Sequence, residues 1–396
     1  MLPGEINERF LAFFRARSYV IAGSAPILAS DPTVLFVNAS VTPFKPVMLA
    51  NRALPRTAVV QRCFRAQDVP TYLFAFDMLG IVADARSSAG IEEDLFRFLD
   101  SLGMTRERLL AVVDARDADL QRTASAELPR ERVFTQTGNS KKYCTRWEFG
   151  HGERLVGRGM TIVGELPGSK PCGDFCGWEC VRCRRFVPLG NIILIRSADA
   201  DQEYLDVGFG AEAVVSFFHS GDILQSPPVS DCSEALRELS ELHGQQRQVV
   251  RLLLGIRELT AAGIRPGARK HAYVMRKLMR QVLAILCRVE EGGEESVRKS
   301  LRQVIGRMAR AAPSAELWTS TEAFLLAESR LYAQAIVQGA ARARGYLAHA
   351  GHRSDEACRE RLRESYGLPD RVIDRILADR LRDGTAEGDY SEKTKH

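Results

Sequence analysis

Three consecutive segments decide the fold: Thr57-Ala-Val-Val-Gln-Arg-Cys-Phe-Arg-Ala66, then Gln67-Asp-Val-Pro70, then Thr71-Tyr-Leu-Phe-Ala-Phe-Asp-Met-Leu79. The first run is rich in Val and Phe. The last alternates Tyr72, Phe74 and Phe76, the period-two pattern of a strand. Four residues separate the runs, and that spacing predicts an antiparallel hairpin. Outward from it, Leu109 to Val113, Asn191 to Arg196 and Glu203 to Val207 read as further strands. Residues 5–18 and Ile91 to Leu102 read as amphipathic helices. Strands joined by hairpins with helices between them predict an α+β domain built on an antiparallel sheet.

The character changes near residue 232. Pro227, Pro228, Ser230, Asp231 and Ser233 form a polar connector. Beyond it helical periodicity dominates, with helices expected over 233–262, 268–289, 294–311, 314–348, 353–365 and 369–383. The expected organisation is a sheet domain over 1–232, an all-α domain over 233–384 and a flexible polar tail over 385–396. At 396 residues, two domains suit the length.

Charge follows the same division. Basic and acidic residues number 55 and 50, for a net +5. Residues 1–232 hold 26 and 28, while residues 233–384 hold 27 and 19. Between Arg247 and Arg288 ten basic residues face one acid, Glu258. A solvated face normally mixes signs, so this bias suggests a polyanionic partner. Arg269, Lys270, Arg276, Lys277 and Arg280 are the candidate contacts. No apolar run is long enough for the ~20 residues a membrane span requires. The start lacks the basic and apolar regions of a signal peptide. A cytoplasmic protein with reduced thiols is expected.

Nine cysteines are present. Cys172, Cys176, Cys180 and Cys183 fall within twelve positions, as C-x3-C-x3-C-x2-C, inside an insertion. Four thiolates so close can surround a structural Zn²⁺. Cys144 reads as a separate thiol. His151, His219, His243 and His271 are scattered and read as structural. Asp114 to Asp119 reads as a polar loop.

Several segments, in order, resemble the alanyl-tRNA synthetase family. Asp31-Pro-Thr-Val-Leu-Phe-Val-Asn-Ala39 with Phe44-Lys-Pro-Val47 is similar to the first signature motif. Gln61-Arg-Cys-Phe-Arg-Ala66 and Phe76-Asp-Met-Leu-Gly80 are similar to the two strands of the second. Trp147-Glu-Phe-Gly150 and Asn191-Ile-Ile resemble pocket segments. Asp206-Val-Gly-Phe-Gly-Ala-Glu212 resembles the third motif. Gly263-Ile-Arg-Pro266, Tyr273-Val-Met-Arg-Lys277 and Leu362 to Pro369 continue the likeness into the helical half.

The resemblance implies a class II catalytic domain followed by a helical domain that grips a tRNA acceptor stem. It also implies a truncated paralogue, because the family's editing and C-terminal domains lie beyond the matched part. The implied activity joins a small amino acid such as alanine to ATP, with Mg²⁺, as an aminoacyl-adenylate. A fixed guanidinium stabilises the charge that develops on the phosphoryl oxygens. By resemblance this is Arg65, with Arg62 second and Asp77 near the nucleotide. Glu212 matches a motif acid for Mg²⁺. Asp206 would receive the α-ammonium group, and Met78, Trp147, Asn191, Ile193 and Gly208 would wall the side-chain pocket.

The departures are equally specific. Ala213 stands where the third motif carries a nucleotide-binding arginine. The second-motif loop is cut to four residues. Gly267-Ala-Arg-Lys-His271 lacks the asparagine that reads the acceptor stem, and Glu364 replaces its partner aspartate. Two alternatives to tRNA charging follow: an amide-forming ligase acting on a small-molecule amine, and a non-catalytic paralogue that binds RNA or protein.

Overall fold

A computed structural model describes the chain apart from residues 32, 70–71, 150–154, 198–201, 220, 227–228, 240–241, 243, 287–292, 313–314, 350–354, 367 and 389–396. The expected His151 and His243 lie outside the described residues.

The chain begins with helix α1 (Pro3–Arg15), strand β1 (Val20–Ala22) and the short helix α2 (Lys45–Leu49). The predicted hairpin follows as β2 (Thr57–Phe64) and β3 (Ala75–Asp84), paired antiparallel. Next come α3 (Ile91–Ser101), β4 (Leu109–Asp114), α4 (Ala118–Glu127), β5 (Val133–Gln136) and β6 (Arg146–Glu148). The front part closes with β7 (Leu155–Glu165), β8 (Phe186–Ser197), β9 (Glu203–Gly210) and α5 (Ala211–Phe217).

These strands form one sheet in the order β1-β2-β3-β9-β8-β7-β4-β5, with β6 on β7. The run from β2 to β4 is antiparallel. The end pairs β1–β2 and β4–β5 are parallel, so the sheet is mixed where an antiparallel one was expected. The fold class is α+β.

Two expectations change in detail, and one strand was not foreseen. The hairpin strands stop at Phe64 and resume at Ala75, although Arg65 N–H still donates to the Phe74 carbonyl at 2.8 Å. The connection is therefore longer than four residues. Asp114 to Asp119 is a turn that runs straight into α4. β7 lies in a stretch with no clean alternation, since eight of its eleven residues are buried.

The rear part is helical: α6 (Val229–Ala235), α7 (Gln246–Ala261), α8 (Lys270–Leu286), α9 (Gly293–Ala311), α10 (Ala315–Ala348), α11 (Asp355–Glu364) and α12 (Asp370–Gly388). The expected helix over 233–262 is broken in two. Helix α12 extends four residues into the segment expected to be a flexible tail. Val274, Leu278, Val282 and Ile285 form the buried stripe of α8, as their spacing predicts.

One core lies between the sheet and α1, α3 and α5, around Phe10, Phe14, Phe98 and Phe209. The helical core takes in Phe36, Phe64 and Phe74 from around the hairpin. Gly255 of α7 sits so close to Phe74 that an added Cβ would lie 3.1 Å from the Phe74 Cβ.

Candidate functional site

The site lies on the face of the sheet opposite α1. Successive strand residues point to opposite faces, so Met78 and Gly80 of β3, Asp206 and Gly208 of β9, and Asn191 and Ile193 of β8 share it. The pairs Gly80↔Gly208, Val82↔Asp206, Asn191↔Gly208 and Ile193↔Asp206 set them side by side. Two glycines keep the floor low. A Cβ on Gly80 would stand 2.3 Å from the Ser40 Cβ, and one on Gly208 would stand 3.1 Å from the Met78 sulfur. Ser40 N–H donates to that sulfur at 3.2 Å, strapping the segment before α2 across β3.

The result is a cavity of about 610 Å³ whose lining includes Met78, Trp147, Asn191, Ile193, Asp206 and Gly208. These are the six residues expected to hold an amino acid. Arg65 stands in the same lining and also in that of an adjoining chamber of about 240 Å³. The smaller chamber shares Met78, Asn191 and Gly208 and reaches Glu212 and Ala213. A third cavity of about 660 Å³ lies around Arg146, Trp147 and Arg158. Its arginines are committed to carboxylates, Arg146 to Asp117 at 2.5 Å and Arg158 to Asp119 at 2.7 Å, so it offers no free cation of theirs.

Asp206 is 3% exposed, and its Oδ1 has no hydrogen-bond partner among the described residues. Burial pushes its pKa up to about 7, with the Ser40 hydroxyl acting the other way. A buried carboxylate oxygen without a donor is costly. A cationic N–H ligand entering the cavity would relieve that cost.

Arg65 is the complementary case. Its Nε donates to the Asn38 carbonyl at 3.2 Å and its guanidinium lies 4.7 Å from the Phe76 ring centre. No carboxylate pairs with it among the described residues. Desolvation without a counter-charge pulls its pKa below the ordinary arginine range. It is a fixed cation facing a cleft.

Arg62 and Asp77 do not join this group. They are cross-strand partners whose side chains point away from the cleft, joined at 3.0 Å. Asp77 also accepts from Asn7 of α1 at 2.8 Å, and Arg62 pairs with Glu258 of α7 at 2.6 Å. Arg62 is therefore committed to the link between hairpin and helices. Three carboxylates around it, those of Glu258, Asp77 and Glu212, raise its pKa against the opposing effect of burial. The expected nucleotide contacts from Arg62 and Asp77 are corrected accordingly: a one-residue offset along each strand places them on the wrong face.

Glu212 sits at the boundary. It lines the smaller chamber, while its two oxygens accept from the Asp77 N–H at 3.2 Å. Burial, then Asp77, raises its pKa to about 7. It is the one carboxylate that the smaller chamber's lining offers to a Mg²⁺. Mg²⁺ characteristically takes one or two carboxylates and completes its shell with phosphates and water.

Sequence reasoning missed Ser40, and it missed Thr161, whose hydroxyl donates to Asn191 Oδ1 at 2.9 Å. Neither falls in a motif. The Gly80 and Gly208 pair was the available sign that another segment crosses there.

Of the expected nucleic-acid contacts, Arg269, Lys270 and Lys277 are exposed, Arg276 is half-buried and none has an ion pair among the described residues. Arg280 is held by buried Glu328 at 2.7 Å. Arg247 and Arg251 also pair internally, with Asp222 and Asp68. Part of the ten-to-one bias is thus structural. The start of α8 reaches the cleft rim, where His271 Nε2 lies 2.5 Å from the Leu35 carbonyl oxygen.

Cys172, Cys176, Cys180 and Cys183 come together in the β7–β8 connection, with all four sulfurs within 4.8 Å of one another. Backbone N–H groups of Cys183 and Arg182 hold the Cys180 thiol down to about 6. Cys144 stands outside this cluster.

Comparison with known proteins finds similarity to tRNA synthetases. Residues 5–71 match the family described as tRNA synthetases class II (A). The alanine–tRNA ligase of Carboxydothermus hydrogenoformans is 27% identical over 322 residues, covering 72% of this chain and 35% of that protein. The likeness is to class II tRNA synthetases. The alanine–tRNA ligase of Neisseria meningitidis serogroup C is 24% identical, covering 93% of the synthetase-like chain and 46% of its own length. The chain spans between about a third and a half of the length of these curated relatives. The solved histidyl-tRNA synthetase of S. aureus aligns with 54% of the chain at 10% identity and a TM-score of 0.36. No helix among the described residues is long and apolar enough to cross a membrane.

Proposed function

We propose that the chain activates a small amino acid, alanine or one close to it, with ATP and passes the acyl group to the 3′ end of a tRNA. The observation that carries this reading is the pairing of partnerless Asp206 Oδ1 with unpaired Arg65 across one cleft. Asp206 receives the α-ammonium, which orients the substrate carboxylate. Trp147, Ile193 and Met78 leave room for a short side chain.

The carboxylate oxygen attacks the α-phosphorus of ATP, a P–O bond forms, and pyrophosphate departs with the bonding electrons. Arg65 stabilises the charge on the phosphoryl oxygens. Glu212 would be the protein ligand of a Mg²⁺, which when bound would offset the negative charge of the departing pyrophosphate. A Zn²⁺ in the four-thiolate cluster completes the cofactor set.

The acceptor approaches along Arg269, Lys270, Arg276 and Lys277, beside the rim at Leu35. The similarity to alanine–tRNA ligases favours tRNA over a small-molecule amine. Amino-acid-dependent ATP–pyrophosphate exchange, screened over small amino acids, tests the reading. Exchange with alanine or a neighbour in size, lost in Arg65→Ala, is expected. Absence of exchange with every amino acid refutes it and favours the non-catalytic alternative.

A further inference from the structure

The connection from β7 to β8 runs from Leu166 to Arg185, twenty residues without helix or strand. Connections longer than ~12–15 residues with no structure of their own are uncommon in compact domains. Ordering each residue costs ~1–2 kcal/mol of backbone entropy, so something must hold this one. Apolar burial does not. Phe175 is 101% exposed and Val181 is 73% exposed. The exceptions are Leu166 at its start, which is buried, and Trp178, stacked on Phe134 and Tyr143 at 5.3 and 5.8 Å.

The centre of the loop is sulfur. Cys172–Cys180 and Cys176–Cys183 are 3.5 Å apart, and Cys180–Cys183 are 3.7 Å apart. A tetrahedron with Zn–S bonds of ~2.3 Å has S···S edges of ~3.8 Å. Three of the six sulfur–sulfur separations come within a few tenths of an ångström of that edge, and all lie within 4.8 Å.

The surrounding groups tie the cluster to the sheet. Lys142 Nζ donates to the Cys180 carbonyl at 2.7 Å, and Tyr143 Oη donates to the Trp178 carbonyl at 2.7 Å. Arg185 pairs with Glu165 at 2.6 Å, bridging the last residue of β7 to the loop's end. Lys142, Cys180, Cys183, Pro188 and Ala213 line a chamber of about 220 Å³. Pro188 and Ala213 also line the smaller chamber of the cleft. The cluster is therefore the outer support of the wall beside Ala213.

We propose that one Zn²⁺, bound by Cys172, Cys176, Cys180 and Cys183, is the core of this loop, and that its presence keeps the Lys142–Tyr143 segment and the start of β8 ordered. This rests on the zinc assignment above and adds what the metal does. Binding replaces the thiol protons with the metal and releases them to solvent, with no change of oxidation state.

The test uses the full chain, purified under a thiol reductant. Elemental analysis should give one Zn per chain, and a ratio near zero overturns the zinc assignment. The metal is then removed with a chelator and amide exchange is followed by mass spectrometry. Removal should speed exchange at least tenfold over residues 166–188 and around Lys142. It should also open Arg182 and Arg184 to trypsin, and added Zn²⁺ should reverse both effects. Exchange in β2, β3 and α8 should not change, which shows that the chain stays folded. One Zn per chain with unchanged protection after its removal overturns the ordering role while leaving the assignment intact. Cys180→Ser should purify with less than a tenth of the parent's zinc. If that variant does not fold, chelation of the parent decides alone.

Discussion

Replacing Asp206 with Asn should make the protein more stable while removing its amino-acid site. Burial raises the Asp206 pKa from 3.8 to about 7. A carboxyl group whose folded pKa exceeds its unfolded value weakens the fold once pH passes the unfolded value. The cost stops growing above the folded one. With the folded value near 7, linkage gives a cost of ~4 kcal/mol at pH 8 and less than half of that at pH 5. Asn carries no charge, so Asp206→Asn escapes this cost. Thermal unfolding without ligand should show the variant several degrees more stable at pH 8, with a gain less than half as large at pH 5. Calorimetric titration with alanine should show binding to the parent and none to the variant. A variant that is equally or less stable at both pH values would refute the reasoning, because Asp206 would then be satisfied without a ligand.

Arg65→Ala should lower the pyrophosphate-exchange rate about 100- to 1,000-fold with the fold intact, as measured by exchange and circular dichroism. Asp31 is 10% exposed and pairs with Lys45, 4% exposed, at 2.6 Å. Burial works to raise the Asp31 pKa, but Lys45 and Thr33 outweigh it and lower it. Its contribution is therefore present above the unfolded pKa and is lost as pH falls through the folded one. Asp31→Asn should cost ~1–3 kcal/mol at pH 7 in a denaturant titration, because it removes the carboxylate bonded to a buried ammonium. Gly80→Ala should destabilise by ~1–3 kcal/mol and weaken alanine binding, since its Cβ displaces Ser40 beside Asp206. Lys277→Ala should reduce the salt slope of tRNA binding by ~1, as read by filter binding across a salt series.

The sheet half was legible where alternation was clean. Thr57 to Leu79 read correctly as a hairpin because one face meets a core and the other a cleft. β7 was not legible, because Met160 to Gly164 are buried throughout and show no period. β1 and β6 have three residues each, too short for periodicity. In the site, residues of two motif segments converged: Asn191 pairs with Gly208, and Ile193 with Asp206, across neighbouring strands. Arg62 and Asp77 did not, because a motif records which residue types occur and leaves the strand phase to be worked out. The phase was available from Met78. The charge bias over 247–288 overstated the free cations, since ion pairs to Asp68, Asp222 and Glu328 come from elsewhere in the chain.

Phe36, Phe64 and Phe74 belong to the helical core although they flank the hairpin that carries Arg65. Arg62 adds an ionic bolt through the same joint to Glu258. The division between the two parts of the chain is therefore one of chemistry and not of mechanics. A load applied to α7 or α8, such as a long RNA pulling on their surface, bears directly on the hairpin that carries Arg65. Excising the helices would uncover three phenylalanines and take Glu258 away from Arg62. The front part should then be expected to aggregate instead of working alone.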